Sequence, residues 1–224
     1  MASTSGDLFA AIDTGDGSEV RAILARDANL AGSRDGDGVS ALMRARYRND
    51  RTMMDAIIAR LSEFDVFEAA AFDELDRITE LLAYGPALVD AHSPDGFTAL
   101  HLAAFYGREA AARLLLAHGA QVDARGRGWM TGTPLHSAAS GRHTNVARVL
   151  LQAGADPDAR QGGGWTPLAG AAHNGNAELV GLLLDAGADP AAVNDEGRSV
   201  LALAEDAADP ATVEGIREAL GERG

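Results

Sequence analysis

Apolar residues recur along this chain in short blocks with a helical period. Each of three such blocks is an apolar triplet that is separated by two residues from a Gly-Ala pair; the triplets are 114–116, 149–151 and 182–184. Around the middle block, Val146 and Leu150 fall on one face of a helix. Gly154 is the type of residue that ends a helix. The pattern therefore predicts a helix over 145–153 and an equivalent helix at each other block.

A second kind of helix is predicted just before each block. Its segments begin with threonine or serine and contain closely spaced alanines: 98–104 (TALHLAA), 133–139 (TPLHSAA), 166–172 (TPLAGAA) and 199–204 (SVLALA). Thr133 is a suitable N-cap, and Pro134 at the first turn costs no helical hydrogen bond. The alanine pair allows another helix to pack closely. A polar stretch with Gly and Asp precedes each segment and predicts a projecting turn or hairpin, here called a finger.

The helix pair and its finger form a unit that repeats about every 33 residues. The first residues of the four segments lie 35, 33 and 33 apart, and residues 8–50 align without a gap with 66–108. One helix pair cannot bury its apolar face alone, so neighbouring repeats must stack. The repeats predicted from these spacings are 6–34 (N-terminal cap), 35–60 (short), 61–94, 95–129, 130–162, 163–195 and 196–221 (C-terminal cap).

These motifs resemble the ankyrin repeat family. The residues that carry the resemblance include the TPLH motif at 133–136 and GADP at 154–157, and the pattern covers nearly the whole chain. The wider pattern looks like a bacterial ankyrin-repeat protein. The resemblance implies an all-α fold, an ankyrin-type α-solenoid of helix-turn-helix repeats joined by projecting fingers. It also implies one domain over 1–224 and a role in binding a partner rather than in catalysing a reaction.

Two repeats depart from the regular pattern. The second repeat passes from residues 57–60 almost directly to Phe64 and lacks the Gly-Ala segment, so a missing or stunted finger is expected there. The finger at 125–132 is two residues longer than its neighbours. We expect these irregularities to bear more on function than the regular repeats do.

Composition and charge exclude several classes of function. The formal net charge of -14 argues against general binding to nucleic acid or anionic membranes, which requires a basic surface. The chain has no cysteine, which excludes disulfides and thiolate sites. All its basic side chains other than histidine are arginines, a bias that favours a bacterial origin. Because no signal-peptide pattern or membrane-length apolar run is present, we expect a cytoplasmic protein.

No catalytic or metal-binding motif is found, so we expect neither an enzyme nor a cofactor. Nucleophile elbows, phosphate loops and zinc-ligand spacings are missing from the sequence. His101 and His136 belong to the repeat motif, where the family uses histidine for hydrogen bonds between neighbouring turns. We therefore interpret both as structural residues and predict no metal site.

The resemblance implies a recognition surface on the fingers and the exposed residues of the first helices. Carried over repeat by repeat, the candidate residues are Phe97, Phe105, Tyr106, Trp129, Met130, Ser140, Trp165, His173 and Asn174. Large aromatics beside arginines are typical of interaction hot spots. Phe97 and Trp165 keep a second interpretation, in which they pack against neighbouring fingers and only close the stack.

A row of basic residues is predicted along successive fingers. It consists of Arg34, His92, Arg125 and Arg160, with Arg127 beside it. Residues 125–160 hold five arginines and two acids, whereas 185–224 hold three arginines and ten acids. This contrast predicts a protein partner that is acidic or phosphorylated. The alternative is that arginine is simply a soluble choice for an exposed turn.

The main hypothesis is a monomeric, non-enzymatic protein–protein interaction module, and two alternatives remain. The first is a small-molecule or anion binder, or an atypical enzyme, that uses the arginine-rich gap formed by Arg44, Arg46, Arg48 and Arg51. Within that gap, we expect Arg46 to pair with Asp50 or Asp55 rather than to bind an anion. The second alternative is a regulatory or immunity partner of a neighbouring enzyme.

Overall fold

The computed structural model describes residues 3–128, 131–207 and 209–221. Within these ranges the chain forms fourteen α-helices and three short 3-10 helices. Strand pairing in the described ranges is limited to three isolated bridges at fingers, Arg34 with Ser40, His92 with Thr98 and Val193 with Ser199. The all-α class of helical repeats is therefore confirmed.

The helices follow one another in pairs. Their bounds are α1 Ser5–Thr14, α2 Gly17–Arg26, α3 Ala41–Tyr47, α4 Arg51–Ile58, α5 Val66–Phe72, α6 Leu75–Tyr84, α7 Ala99–Phe105, α8 Glu109–Ala117, α9 Pro134–Gly141, α10 Thr144–Gln152, α11 Pro167–His173, α12 Ala177–Asp185, α13 Val200–Ala207 and α14 Pro210–Leu220. Helix α10 begins and ends one residue before the helix predicted over 145–153. The residues fall into two compact parts. The N-terminal part runs to Glu68 and includes Ser93–Asp95, and the C-terminal part comprises Ala69–His92 and the residues from Gly96 onward.

The N-terminal part is built on two helix pairs, α1 with α2 and α3 with α4. Polar side chains begin these helices: Asp16 accepts hydrogen bonds at the start of α2, and Ser40 and Asp50 do the same for α3 and α4. The apolar stripes meet in a core of fully buried side chains, among them Leu8, Ile12, Leu42, Met53 and Ile57. Between Ile58 and Val66 the described residues form no bridge, whereas the preceding finger has one between Arg34 and Ser40.

The C-terminal part repeats one helix pair four times, from α7 and α8 to α13 and α14. The alanine pairs of the first helices are buried to within a few per cent: Ala103, Ala104, Ala138, Ala139, Ala171 and Ala172. Their small side chains allow α7 to pack on α9 and α9 on α11. Larger residues such as Leu115 and Leu150, from the second helices, fill the core behind them.

The fingers of the C-terminal part lie side by side and contact each other through their backbones. Gly96, at φ 93°, accepts a hydrogen bond of 2.9 Å from the backbone N–H of Arg127 in the next finger. A Cβ at this position would overlap the carbonyl oxygen of Arg127, and the positive φ is itself unfavourable for other residues. Only glycine permits both the turn and the close approach.

Candidate interaction surface

The predicted basic row is present in the C-terminal part, but its side chains make structural hydrogen bonds. His92 Nε2 donates to the carbonyl oxygen of Arg125 at 2.9 Å, and Arg125 Nη1 donates to that of Arg160. Arg160 Nη2 continues the series to the carbonyl of Val193 at 2.9 Å. Because a carbonyl only accepts, the His92 tautomer must carry its proton on Nε2. Each finger is thus joined to the next by one side chain of the row.

A second series of hydrogen bonds runs in the same direction through aspartates. Each carboxylate accepts from a backbone N–H in the following repeat: Asp90 from Gln121 at 2.9 Å, Asp123 from Asp156 at 3.2 Å and Asp158 from Asp189 at 2.8 Å. Hydrogen bonds from a backbone N–H to an ionised carboxylate are among the stronger ones in proteins. Together with the basic row, these bonds hold successive repeats in a fixed register.

His101 and His136 form the third connection between repeats. Nδ1 of each ring accepts from the backbone N–H of the N-cap threonine of its own helix, at 3.3 Å from Thr98 and 3.1 Å from Thr133. Nε2 of each donates to a carbonyl of the next finger, that of Gly132 at 3.1 Å and that of Trp165 at 3.0 Å. Desolvation by burial is the main cause that lowers the pKa of both imidazoles to about 4. Both rings are therefore neutral structural groups at pH 7.

The aromatic candidates divide between buried and accessible side chains. Phe97 is only 8% exposed, and its ring meets the imidazole of His101 edge-on at 6.1 Å between centroids, so it closes the stack. Trp165 is half-buried and meets His173 edge-on at 5.5 Å. Because His173 is exposed, the Trp165–His173 pair is accessible to a partner, whereas Phe97 is not.

The ends of the first helices present a row of accessible side chains. Phe105, Ser140 and His173 occupy equivalent positions in α7, α9 and α11, and all three are exposed. Phe105 is 38% exposed and stacks edge-on with the half-buried ring of Tyr106 at 5.1 Å. The neighbouring Asn174 donates from Nδ2 to the carbonyl of Ala139 at 3.2 Å, so its amide has a structural role.

Arg127 is an exposed cation of the long finger. Its backbone is held by Gly96, and its side chain is exposed. The guanidinium makes no hydrogen bond or ion pair with any residue in 3–128, 131–207 or 209–221. The two other candidates of this finger, Trp129 and Met130, lie outside the described residues.

In the N-terminal part, the arginine cluster at 44–51 is largely engaged in intramolecular contacts. Arg44 binds both carboxylate oxygens of Asp13, at 2.9 and 3.2 Å, and lies 3.1 Å from Asp35. The hydrogen bond from Arg44 is the main cause that lowers the pKa of the Asp13 carboxyl. Arg48 donates to the Asp13 carbonyl at 2.7 Å, and Arg51 lies 3.9 Å from Asp55. The cluster thus connects α1 to α3 rather than surrounding an open anion site.

Arg34, the first residue of the predicted basic row, belongs to a different arrangement. It donates to the carbonyl of Gly38 at 3.0 Å and forms a 2.6 Å ion pair with Asp65. Beside it, Ser40 donates to the buried carboxylate of Glu68 at 2.5 Å, and the backbone N–H of Asp65 donates to the same carboxylate at 2.9 Å. Glu68 is 3% exposed, and desolvation followed by the charge of Asp65 raises its pKa.

Two residues of structural interest, Glu68 and Arg142, are not among the residues predicted from the sequence. Glu68 was detectable, because the D-x-x-E spacing at 65–68 is a capping-box pattern, with Asp65 accepting from the Glu68 N–H at 2.8 Å. Arg142 was detectable from the repeat alignment, since it stands where the flanking repeats have Gly107 and Gly175. All three positions have positive φ, 69°, 62° and 61° in chain order.

No helix among the described residues is both long enough and apolar enough to cross a membrane. No group of three or more histidine or acidic side chains within the same ranges is arranged to hold a metal ion.

Comparison with known families agrees with the architecture. A family model for three consecutive copies of the ankyrin repeat matches residues 66–161, and a model for a single ankyrin repeat matches residues 163–195. Together the matches span more than half of the 224 residues. No curated protein matches the chain. Ankyrin repeats are generally protein–protein interaction modules, and proteins built from them are typically non-enzymatic scaffolds. Its matched repeats and helical architecture make this chain a member of the ankyrin repeat family.

Proposed function

We propose that this chain is a non-enzymatic module that binds a protein partner across the fingers and first-helix ends of its C-terminal part. The observation that carries the proposal is the row of accessible side chains at equivalent repeat positions, Phe105, Ser140 and His173, together with the exposed Arg127 on the long finger. Aromatic residues and arginine are the side chains that most often dominate binding energy at interfaces.

The rigidity of the surface supports the same role. Three kinds of hydrogen bond join neighbouring repeats of this part, through the basic row, the aspartates and the two histidines His101 and His136. A surface held in its binding conformation before the partner arrives loses less conformational entropy on binding. The regular repeats thus supply a preformed surface, and the variable side chains supply its specificity.

Charge supports a partner with an acidic surface. Arg125 donates only to carbonyls and Arg127 to no described group, so neither positive charge is neutralised by an ion pair. The chain as a whole carries -14, which makes this local positive charge stand out. Complementary charges accelerate association and select against wrong partners more than they increase affinity.

The alternative site in the N-terminal part is not favoured. Arg44 and Arg48 already hydrogen-bond to Asp13, so an anionic ligand would have to replace these contacts. A regulatory or immunity role remains a subclass of the present proposal, and the identity of the partner would decide it.

The proposal is tested by affinity capture from the native cell lysate, followed by mass spectrometry. The wild-type chain is compared with a double variant, Arg127→Ala with Trp129→Ala, and with Arg113→Ala as a matched control. Arg113 is exposed but paired with Glu109 at 2.9 Å on α8. We expect wild type and control to capture the same protein and the double variant to lose it with unchanged helical content. Undiminished capture by the double variant would contradict the proposed surface.

A further inference from the structure

The backbone of Arg142 is unusual for its residue type. It lies in the left-handed region at φ 62°, ψ 33°, at the C-terminal end of α9. Among the described residues, only Asn49, Asp73 and Arg142 have positive φ without being glycine. Asparagine and aspartate tolerate this conformation, and the Asp73 carboxylate also accepts a 2.9 Å hydrogen bond from the backbone N–H of Ala111. Arginine has no such tolerance for this conformation, and among the described residues the Arg142 side chain makes no hydrogen bond of the kind that Asp73 makes.

The Arg142 side chain does not offset this strain within the chain. It is exposed, and its guanidinium makes no hydrogen bond or ion pair with the residues that the structure describes. The hydrogen bonds with Thr212 at the start of α14 are the main cause that lowers the pKa of the Asp209 carboxyl, and the charge of Arg142 adds to the effect. A strained residue whose side chain makes no hydrogen bond or ion pair is a candidate for function, since the fold itself would be better served by glycine.

Arginines of the described C-terminal part that form no ion pair are concentrated in the stretch of sequence that ends at Arg142. In the described C-terminal part, six arginines lie within ion-pair distance of a carboxylate: Arg77, Arg113, Arg148, Arg160, Arg198 and Arg217. Four are not, and all of these lie between residues 108 and 142: Arg108, Arg125, Arg127 and Arg142. Within the described C-terminal part, arginines without an ion pair are therefore confined to this stretch.

Arg127 and Arg142 mark opposite ends of the same repeat surface. Arg127 lies on the finger that precedes α9, and Arg142 follows its last residue. The turn at Gly141 and Arg142 packs closely on the backbone of Phe105. The approach is so close that a Cβ on Gly141 would overlap the Phe105 carbonyl. Helix α9 has eight residues and is therefore about 12 Å long. Phe105 and Ser140, both exposed, and the half-buried Tyr106 lie at the helix ends on the Arg142 side of this surface.

We propose that these five residues form a strip that binds an acidic peptide segment of the protein partner, an inference that rests on the proposed function. The segment carries a carboxylate for Arg127, a second for Arg142 and an apolar side chain close to the second carboxylate for the Phe105–Tyr106 pair. The length of α9, about 12 Å, corresponds to roughly four residues of extended chain or about eight of helix. Charge complementarity at both ends and aromatic surface beside Arg142 select this chemistry.

The test uses a fluorescein-labelled eight-residue peptide with two glutamates at each end and leucine and tryptophan near its centre. Its binding to the full chain is measured by fluorescence anisotropy at 50 and 200 mM salt. We expect Arg142→Gly to weaken binding about fivefold and the double variant with Arg127→Ala to weaken it roughly twentyfold. Arg142→Gly should also leave the melting temperature unchanged or raise it, since glycine relieves the backbone strain.

The matched control is Arg148→Ala, which removes the same charge from an ion-paired position on α10. It should stay within about twofold of wild type, because overall charge alone has a small, screened effect at this distance. The strip is rejected if Arg142→Gly binds like wild type, if Arg148→Ala weakens binding as much, or if a peptide with glutamine in place of glutamate binds equally well. Equal binding of a single-stranded oligonucleotide through the same arginines would indicate a general polyanion site instead.

These outcomes are separate from those of the lysate capture. If the peptide fails but the Arg127–Trp129 double variant still loses the captured protein, the interaction module stands and only the strip is wrong. If the peptide binds as expected but the double variant captures normally, the strip is an isolated anion site and the proposed partner surface is wrong.

Discussion

The N-terminal and C-terminal parts of the chain join their repeats in different ways. In the C-terminal part, side chains bond to backbone groups of the next repeat at regular intervals, as His92, His101 and Asp123 do. In the N-terminal part, several connections end on carboxylates, as in Arg34 with Asp65 and Ser40 with Glu68. Backbone carbonyls accept there as well, from Arg48 at Asp13 and from Arg60 at Leu24. The frequent use of carboxylates makes this part chemically distinct.

The difference has a functional meaning. Backbone acceptors recur in every repeat whatever the side chains, so the C-terminal part keeps its register while Phe105, Ser140 and His173 vary freely. A connection between two side chains requires both partners, which leaves less freedom for surface variation. The regular part is therefore the better place for a recognition surface.

Acid pH should destabilise the C-terminal part through its two buried histidines, His101 and His136. The unfolded-state pKa of His101 and His136 is near 6.5 and the folded value about 4, so their native state resists protonation. Their contribution to stability is complete above pH 6.5 and is lost as pH falls towards 4, by about 3 kcal/mol for each at pH 4. Urea unfolding between pH 7 and 4.5 measures this loss. A flat profile across that window would contradict the histidine connections.

Removal of one connection in the regular part should have the next largest effect. His136→Ala leaves the Thr133 N–H and the Trp165 carbonyl without their partner and opens a cavity. We expect the free energy of unfolding to fall by about 3 kcal/mol and the acid sensitivity to be roughly halved. His118→Ala, at an exposed position after α8, is the control and should change stability little. A loss below about 1 kcal/mol would mean that the histidine is dispensable.

Side-chain connections of the N-terminal part should be weaker because they are partly exposed. Arg44→Met removes the contacts to Asp13 and Asp35, and we expect a loss of about 1 kcal/mol that shrinks at high salt. Arg51→Met is the matched control, since Arg51 is 90% exposed and 3.9 Å from Asp55. Equal effects of the two substitutions in chemical denaturation would show that the Arg44 network contributes nothing specific.

Glu68 should respond to pH in the opposite direction from the histidines. Its folded pKa is raised by desolvation and by Asp65, so the ionised form is disfavoured in the native state. Because the protonated form is favoured in the native state, the contribution of Glu68 to stability increases as pH falls through the raised pKa. A carboxyl-carbon NMR titration should place the Glu68 pKa above the ordinary glutamate value of 4.5. A value at or below 4.5 would contradict the burial described for this carboxyl.

The periodic features of the fold were predictable from the sequence, and the individual contacts were not. Helix α10 was predicted to within one residue because Val146 and Leu150 repeat at helical spacing. The positions of Arg125 and Arg160 on successive fingers were predictable from the repeat. Their hydrogen bonds to the next finger were not, because the sequence does not show which backbone carbonyl lies within reach of a side chain. Burial of Phe97 depends on the neighbouring finger in the same way.

Binding of a partner tests the central claim through the same two regions. Hydrogen–deuterium exchange of the full chain, with and without the captured protein, reports which backbone amides become protected. We expect protection to be confined to the fingers and first-helix ends of the C-terminal part, at residues 105–106, 125–128, 140–142 and 160–165, with residues 34–68 unchanged. Protection centred on residues 34–68, or on the second helices α8, α10 and α12, would contradict it.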